Sequence, residues 1–296
     1  MSEHIRQRQL QDADGTRQKL SYPELPEPLL VGTYDNHTHL EISDGDQPMN
    51  YTDHLALANQ VGILGAVQVG VTLESSKWSA EVAASDNRLL AAVAIHPNEA
   101  AGYETKQKLD LDIDGIAALA SQERVRAIGE TGLDFYRTES EQGKQFQHHS
   151  FERHIQIAKD HNLALQIHDR DAHLEVVETL LRIGAPERVV FHCYSGDLDL
   201  AKICAKHGWY TSFAGNITIK RNQHLRDSLK YMPNDKILVE TDAPFLTPEP
   251  LRGRPNAPYL VPITVRFMAA ELGLGADELS GQLAKNTVEV YGPWDS

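Results

Sequence analysis

Cysteine is almost missing: Cys193 and Cys204 are the only two in 296 residues. Two thiols build neither a disulfide framework nor a four-cysteine zinc site. They fit a reducing compartment, so a cytoplasmic setting is the expectation. Long apolar runs are missing too. No window approaches the ~18 consecutive apolar residues that mark a membrane span. The first twenty residues, MSEHIRQRQLQDADGTRQKL, lack the apolar stretch of a secretion signal. Positive charge is scarce: 28 Lys and Arg face 42 Asp and Glu, a net −14. A protein gripping nucleic acid through a broad basic surface leans the other way. If this chain works on phosphates, the neutralising charge must be local, and a metal centre is the natural source. There is no Walker loop and no Gly-x-Ser-x-Gly elbow. Gly273-Leu274-Gly275 opens no strand-to-helix phosphate turn, so no dinucleotide site is expected.

What is present is a folded-domain composition with a regular rhythm. Residues 1–28 are polar and end in the proline-rich stretch Tyr22 to Pro28, which reads as an N-terminal extension on the surface. From residue 29 to 296, short apolar runs alternate with longer segments of helical period. The runs are 29–35, 63–70, 89–95, 125–129, 163–167, 188–191, 209–215 and 236–241. They are rich in Val and Ile, and several are continuous, as in strands buried on both faces. Between them, Phe151, Ile155 and Ala158 mark a helix over 144–161, and Leu174, Val177, Leu180 and Leu181 mark one over 173–184. Ser195-Gly196-Asp197 offers a cap for the next helix. Eight strand–helix repeats predict one (β/α)8 TIM barrel of class α/β, with an open doubly wound sheet as the competing arrangement.

Ligand-type side chains stand just after these runs. His37 and His39 close the first, Glu130 follows the fourth, His168 the fifth, His192 the sixth and Asp242 the eighth. In a barrel all strand C-termini meet on one face, where active sites lie. Residues i and i+2 of an extended segment point the same way, so His37 and His39 face one cation. Any one of these residues has an ordinary structural explanation: a hydrogen-bonded core histidine, a turn aspartate, or a Glu130–Arg126 ion pair. Their joint placement at strand ends does not. Four imidazoles and two carboxylates suit divalent Zn, Mn or Mg, and there are enough ligands for two ions sharing a carboxylate.

The strings DNHTHL (35–40), AIHP (94–97), GETGLDFY (129–136), IHDRDA (167–172), FHCYSG (191–196), ETDAPFL (240–246) and RGRPNAP (252–258), with Asn286-Thr287, resemble the TatD family of metal-dependent deoxyribonucleases in the amidohydrolase superfamily. The resemblance implies a barrel, two divalent ions and hydrolysis of DNA phosphodiesters from the 3′ end. It implies one metal held by His37, His39, Glu130 and Asp242, and another by Glu130, His168 and His192. Glu130 would bridge, and Asp242 would handle the proton of the attacking water. Ala94 stands where the family has Gly, and Asn98 where His is common, which puts substrate preference more in doubt than metal binding.

Around this core, His96 is expected to contact a substrate phosphate, with Arg170, Arg252 and Arg254 adding positive charge. Solvated loop arginines are an equally simple reading of the last two. Cys193 reads as a packing residue, and His148, His149, His154 and His161 as solvated histidines on a polar helix. DNA is the expected partner, with no membrane and no obligate protein partner. The competing functions are a small-molecule amidohydrolase acting on a lactone, amide or phosphoester, and a non-catalytic metal-binding scaffold.

Overall fold

The computed structural model of the chain describes residues 5–8 and 20–294. Each apolar run becomes a strand: β1 Thr33–Thr38, β2 Ile63–Val69, β3 Leu89–Val93, β4 Val125–Asp134, β5 Ala164–Arg170, β6 Val189–Phe191, β7 Tyr210–Phe213 and β8 Ile237–Val239. The strands pair in parallel and in chain order within one eight-stranded sheet. The two edges then meet. Asn36 Nδ2 donates to Val239 O at 2.8 Å. The Asp242 N–H donates to His37 O at 2.9 Å, and the His39 N–H to Ala243 O at 2.8 Å. Asp35 accepts from the N–H and hydroxyl of Thr241 at 2.8 and 2.5 Å. The expected TIM barrel is therefore the fold, and the open sheet is not.

The period-2 alternation of the strands sorts the core into two shells. Val67, Val69, Leu90, Ala92, Ala127, Ala164, Val190 and Leu238 pack inside the barrel. Tyr34 and Trp294, stacked at 4.2 Å, pack against this inner cluster. The intervening positions, such as Ala91, Val93, Ile128 and Leu165, face outward into the larger cluster under the helices. Those helices are α1 Tyr51–Gln60, α2 Leu73–Ser85, α3 Pro97–Ala101, α4 Lys106–Leu119, α5 Glu141–Asp160, α6 His173–Ile183, α7 Leu198–His207, α8 Gln223–Tyr231, α9 Val261–Leu272 and α10 Ala276–Tyr291. Asp197 caps α7 as expected, accepting from Asp199 N and Leu200 N. Among the described residues no single helix is long and apolar enough to cross a membrane.

Residues 5–8 and 20–28 of the expected extension are described, and both lie against the barrel. Arg6 and Gln7 pair in parallel with Ile42 and Ser43, just past β1. Further along, Tyr259 Oη donates to Pro23 O at 2.7 Å, and Arg254 Nε to Ser21 O at 2.9 Å. The rest of the extension lies outside the described residues.

His148 and His149 are half-buried, with His149 Nε2 2.6 Å from Asp110 Oδ1, and His154 departs furthest from expectation. His154 is not solvated but fully buried on the core face of α5. Its Nδ1–H donates to Ser150 O at 2.7 Å, and its Nε2 accepts the Ile95 N–H at 3.2 Å. The period that places Phe151, Ile155 and Ala158 inside places His154 there as well. Its partner precedes His96, so this bond pins the chain entering the barrel mouth. Burial pushes its pKa down to about 4. The folded protein then holds His154 neutral where the unfolded chain, titrating near 6.5, takes a proton. Stability from this group is full above pH ~6.5 and is lost as pH falls toward 4, by at most about 3 kcal/mol. Urea unfolding across this range should show that the wild type loses more stability than His154→Gln. Parallel curves would contradict this account of the histidine.

Candidate metal centre

The barrel brings all six expected ligands to one mouth. Glu130 stands in the middle: its Oε1 lies 2.6 Å from His168 Nδ1 and 2.8 Å from His192 Nε2. Its Oε2 lies 3.6 Å from both His37 Nε2 and His39 Nε2. Asp242 Oδ1 sits 3.5 Å from His39 Nε2 and 3.8 Å from His37 Nε2. The ligand atoms fall into compact groups: His37, Glu130 and His192; His37, His39 and Asp242; and His96, Glu130 and His168. Glu130 and His37 are each shared by two of these groups.

The outer edge of each imidazole settles what its inner edge can do. His37 Nδ1 meets Gln166 Oε1 at 3.1 Å, and His39 Nδ1 meets the Val69 carbonyl at 3.1 Å. His192 Nδ1 meets Glu240 Oε1 at 3.2 Å, and His168 Nε2 meets Asp134 Oδ2 at 3.3 Å. All four outer partners are acceptors, so all four outer nitrogens carry the proton. On neutral rings the four inner nitrogens are then left as lone pairs aimed at one another and at Glu130. His37 Nε2 and His39 Nε2, 3.2 Å apart, face each other with nothing to share. Such a set is repulsive by itself and becomes favourable around a cation. Outer acceptors of this kind orient metal-binding histidines and raise their basicity. The donor set therefore fits divalent metal.

His96 differs. Its Nδ1 accepts the Asn98 N–H at 3.0 Å, which puts its proton on Nε2. That Nε2–H points inward, 3.2 Å from Glu130 Oε1 and 3.3 Å from His168 Nδ1. It is a donor at the mouth, suited to an anionic oxygen rather than to a cation.

Titration follows the same geometry. Burial pushes the Glu130 carboxyl up, but the His96, His192 and His168 imidazoles outweigh burial and hold it well below the usual carboxylate range. Burial pushes His192 down, yet the Glu130 and Glu240 carboxylates carry it well above its ordinary value. Asp242 is likewise raised by burial and lowered on balance by His39 and His37.

The backbone is shaped to the site. Gly132, at φ +140°, brings β4 so near β5 that a Cβ would lie 2.0 Å from His168 O. Only glycine fits that approach. Asp242 and Cys193 hold φ of +55° and +40° beside the ligands, and such left-handed residues cluster at functional sites. Cys193 donates its N–H to Glu240 Oε1 at 2.7 Å.

The expected arginines separate. Arg170 sits on the rim, its guanidinium 3.8 Å above the Tyr136 ring. Arg252 is half-exposed, 3.9 Å from Glu249. Arg254 spends its guanidinium on the Ser21 and Tyr22 carbonyls, clamping the N-terminal segment. The sequence reading missed Gln166, Glu240 and Asp134, and took Asn98 only as a change bearing on substrate preference. Asn98 Nδ2 holds Asp134 Oδ2 at 3.0 Å and so steadies the partner of His168. For Gln166 and Glu240 the available signal was a polar residue within an apolar run, since a buried polar group needs a partner.

Replacing an outer acceptor should loosen metal without touching a ligand. Glu240→Gln and Asp134→Asn should each weaken divalent-metal affinity by about 10–100-fold. Competition with a fluorescent chelator measures this. Wild-type affinity in both variants would show that the outer partners do not govern binding.

Residues 34–292 match the family described as TatD related DNase. The chain is 36% identical over 264 residues to the uncharacterized metal-dependent hydrolase TatD of Mycobacterium tuberculosis, covering 87% of this chain and 97% of that one. It is 32% identical over 246 residues to a protein of Dickeya dadantii named 3'-5' ssDNA/RNA exonuclease TatD, covering 81% and 90%. A solved TatD homologue from Escherichia coli K12, YJJV, shares the fold at a TM-score of 0.78 and 24% identity, covering 88% of this chain and 98% of that one. The chain belongs to the TatD family of metal-dependent hydrolases.

Proposed function

We propose that the protein is a two-metal exonuclease that removes nucleotides from the 3′ end of single-stranded or frayed DNA. The observation that carries this reading is the position of Glu130, between the His37–His39–Asp242 group and the His168–His192 pair. Glu130, with His37, His39 and Asp242 on one side and His168 and His192 on the other, would help hold two divalent cations, which would stabilise both oxygens of a phosphoryl displacement. The name of the Dickeya relative supports the substrate.

Divalent ions held there would polarise the phosphoryl oxygens and neutralise the charge that builds on them. The chain's own groups do the rest. Asp242, with 15% of its side chain exposed, is the carboxylate placed to take the proton of an attacking water. Its histidine neighbours keep it ionised for that task. His96 offers Nε2–H to a non-bridging phosphate oxygen. Arg170 on Tyr136 provides a cation and an aromatic face at the rim, a combination suited to single strands. The ligands are recessed, so a flexible end reaches them and a stiff duplex does not.

The net charge of −14 repels a polyanion, so binding rests on few contacts. The slope of log K against log salt should be shallow, with a magnitude of roughly 2–4. End-labelled single strands should give a ladder shortening from the 3′ end, with blunt duplex much slower. Chelator should stop the reaction, and Mg, Mn or Zn restore it. Asp242→Asn should lower kcat by about 100-fold or more, with little change in KM. Rapid turnover of a lactone or amide with no nucleotide released would contradict this function.

A further inference from the structure

The N-terminal arm reaches the mouth. Residues 5–8 precede the first residue that matches the family, residue 34. Glu41 and Asp44, just past His39, bury their carboxylates completely. A buried carboxylate needs a cation or several donors. The arm supplies both cations: Arg6 pairs with Glu41, and Arg8 Nη1 donates to Asp44 Oδ2 at 2.9 Å. The Ile5 and Arg8 N–H groups donate to the Glu41 and Ser43 carbonyls, each at 3.0 Å, which fixes the register.

Arg8 does more than neutralise Asp44. The same Nη1 donates to Pro244 O at 2.8 Å, two residues beyond Asp242. Its guanidinium carbon lies 5.2 Å from the centroid of the Phe245 ring. That ring is half-buried and lies edge-on to His39, with centroids 6.3 Å apart. Three contacts thus hold the guanidinium of Arg8, whose side chain is 30% exposed, beside the loop that carries Asp242. Arg170 on Tyr136 stands at the end of β5, half-way round the barrel from β1. The mouth is flanked by two arginine–aromatic pairs, and one of the arginines comes from the arm.

We propose that Arg8 is a substrate-positioning residue: it holds the phosphodiester next to the scissile one, with that nucleotide's base against Phe245. The substrate class is a polynucleotide with at least two phosphates. This rests on the nuclease reading and refines it. Arg8 acts on placement of the strand and not on the reacting phosphorus, so it discriminates between a chain and a single diester.

The test compares a single-stranded oligonucleotide with bis(4-nitrophenyl) phosphate, which has one phosphate. For Arg8→Ala, kcat/KM on the oligonucleotide should fall about 10-fold, through KM, as for the loss of one charge-assisted hydrogen bond. The fall on the single diester should be several-fold smaller. The oligonucleotide's salt slope should drop by about 1, and Arg8→Lys should restore the slope. If Arg8→Ala fails to fold because Asp44 is left unpaired, Arg8→Ala/Asp44→Asn carries the same comparison. Equal losses on both substrates, or an unchanged salt slope, would overturn the role of Arg8 while leaving the nuclease reading intact. A wild type that cleaves the diester but no oligonucleotide would overturn the nuclease reading, and this inference with it.

Discussion

The structure depends on one electrostatic constraint. His37, His39, His168 and His192 each give their outer ring proton to a fixed acceptor, so their inner nitrogens meet as lone pairs around Glu130. Nothing among the described residues relieves that crowding except protons, and the upward pull on His192 shows how strongly the site attracts positive charge. A divalent cation answers the same demand with more charge. The fold supports this arrangement. Strand ends aim the ligands inward, inner-shell Val and Ala side chains fill the barrel beneath, and Gly132 lets β4 crowd β5 until Glu130 and His168 touch.

Support continues outward in layers. Asn98 holds Asp134, which holds His168. His154 holds Ile95, next to His96. Gln166 spans the barrel from His37 to Asn36 O and Tyr291 Oη. The His154 and Gln166 links are buried and those of Asp134 half-buried, and preorganised polar groups of this kind are worth most where water is excluded. The family motifs are thus more than ligand lists. GETGLD carries a candidate ligand, a close-approach glycine and an outer acceptor, and ETD carries an outer acceptor and a candidate ligand.

Much of this was legible in the sequence. All eight apolar runs are barrel strands, because a parallel strand covered on both faces has no choice but continuous Val, Ile, Leu and Ala. The six candidate ligands stood out because each lies at or just past the C-terminal end of such a run. The outer shell was harder. Glu240 neighbours Asp242, and nothing in the order Glu-Thr-Asp says which acid faces the cation and which faces His192. His154 looked solvated because its helix is polar in composition, and only its phase relative to Phe151 and Ile155 shows the buried side. Arg8 was not legible at all. Its partners lie 36 and 236 residues away, and a two-residue strand has no periodicity to read.

The central claim is that the lone pairs around Glu130 exist to hold metal. Anomalous diffraction from crystals grown with Mn or Zn tests it most directly. The account predicts two peaks on either side of Glu130, one within reach of His37, His39 and Asp242, the other within reach of His168 and His192. No peak between these side chains under metal-replete conditions, or metal bound only elsewhere on the molecule, would contradict it.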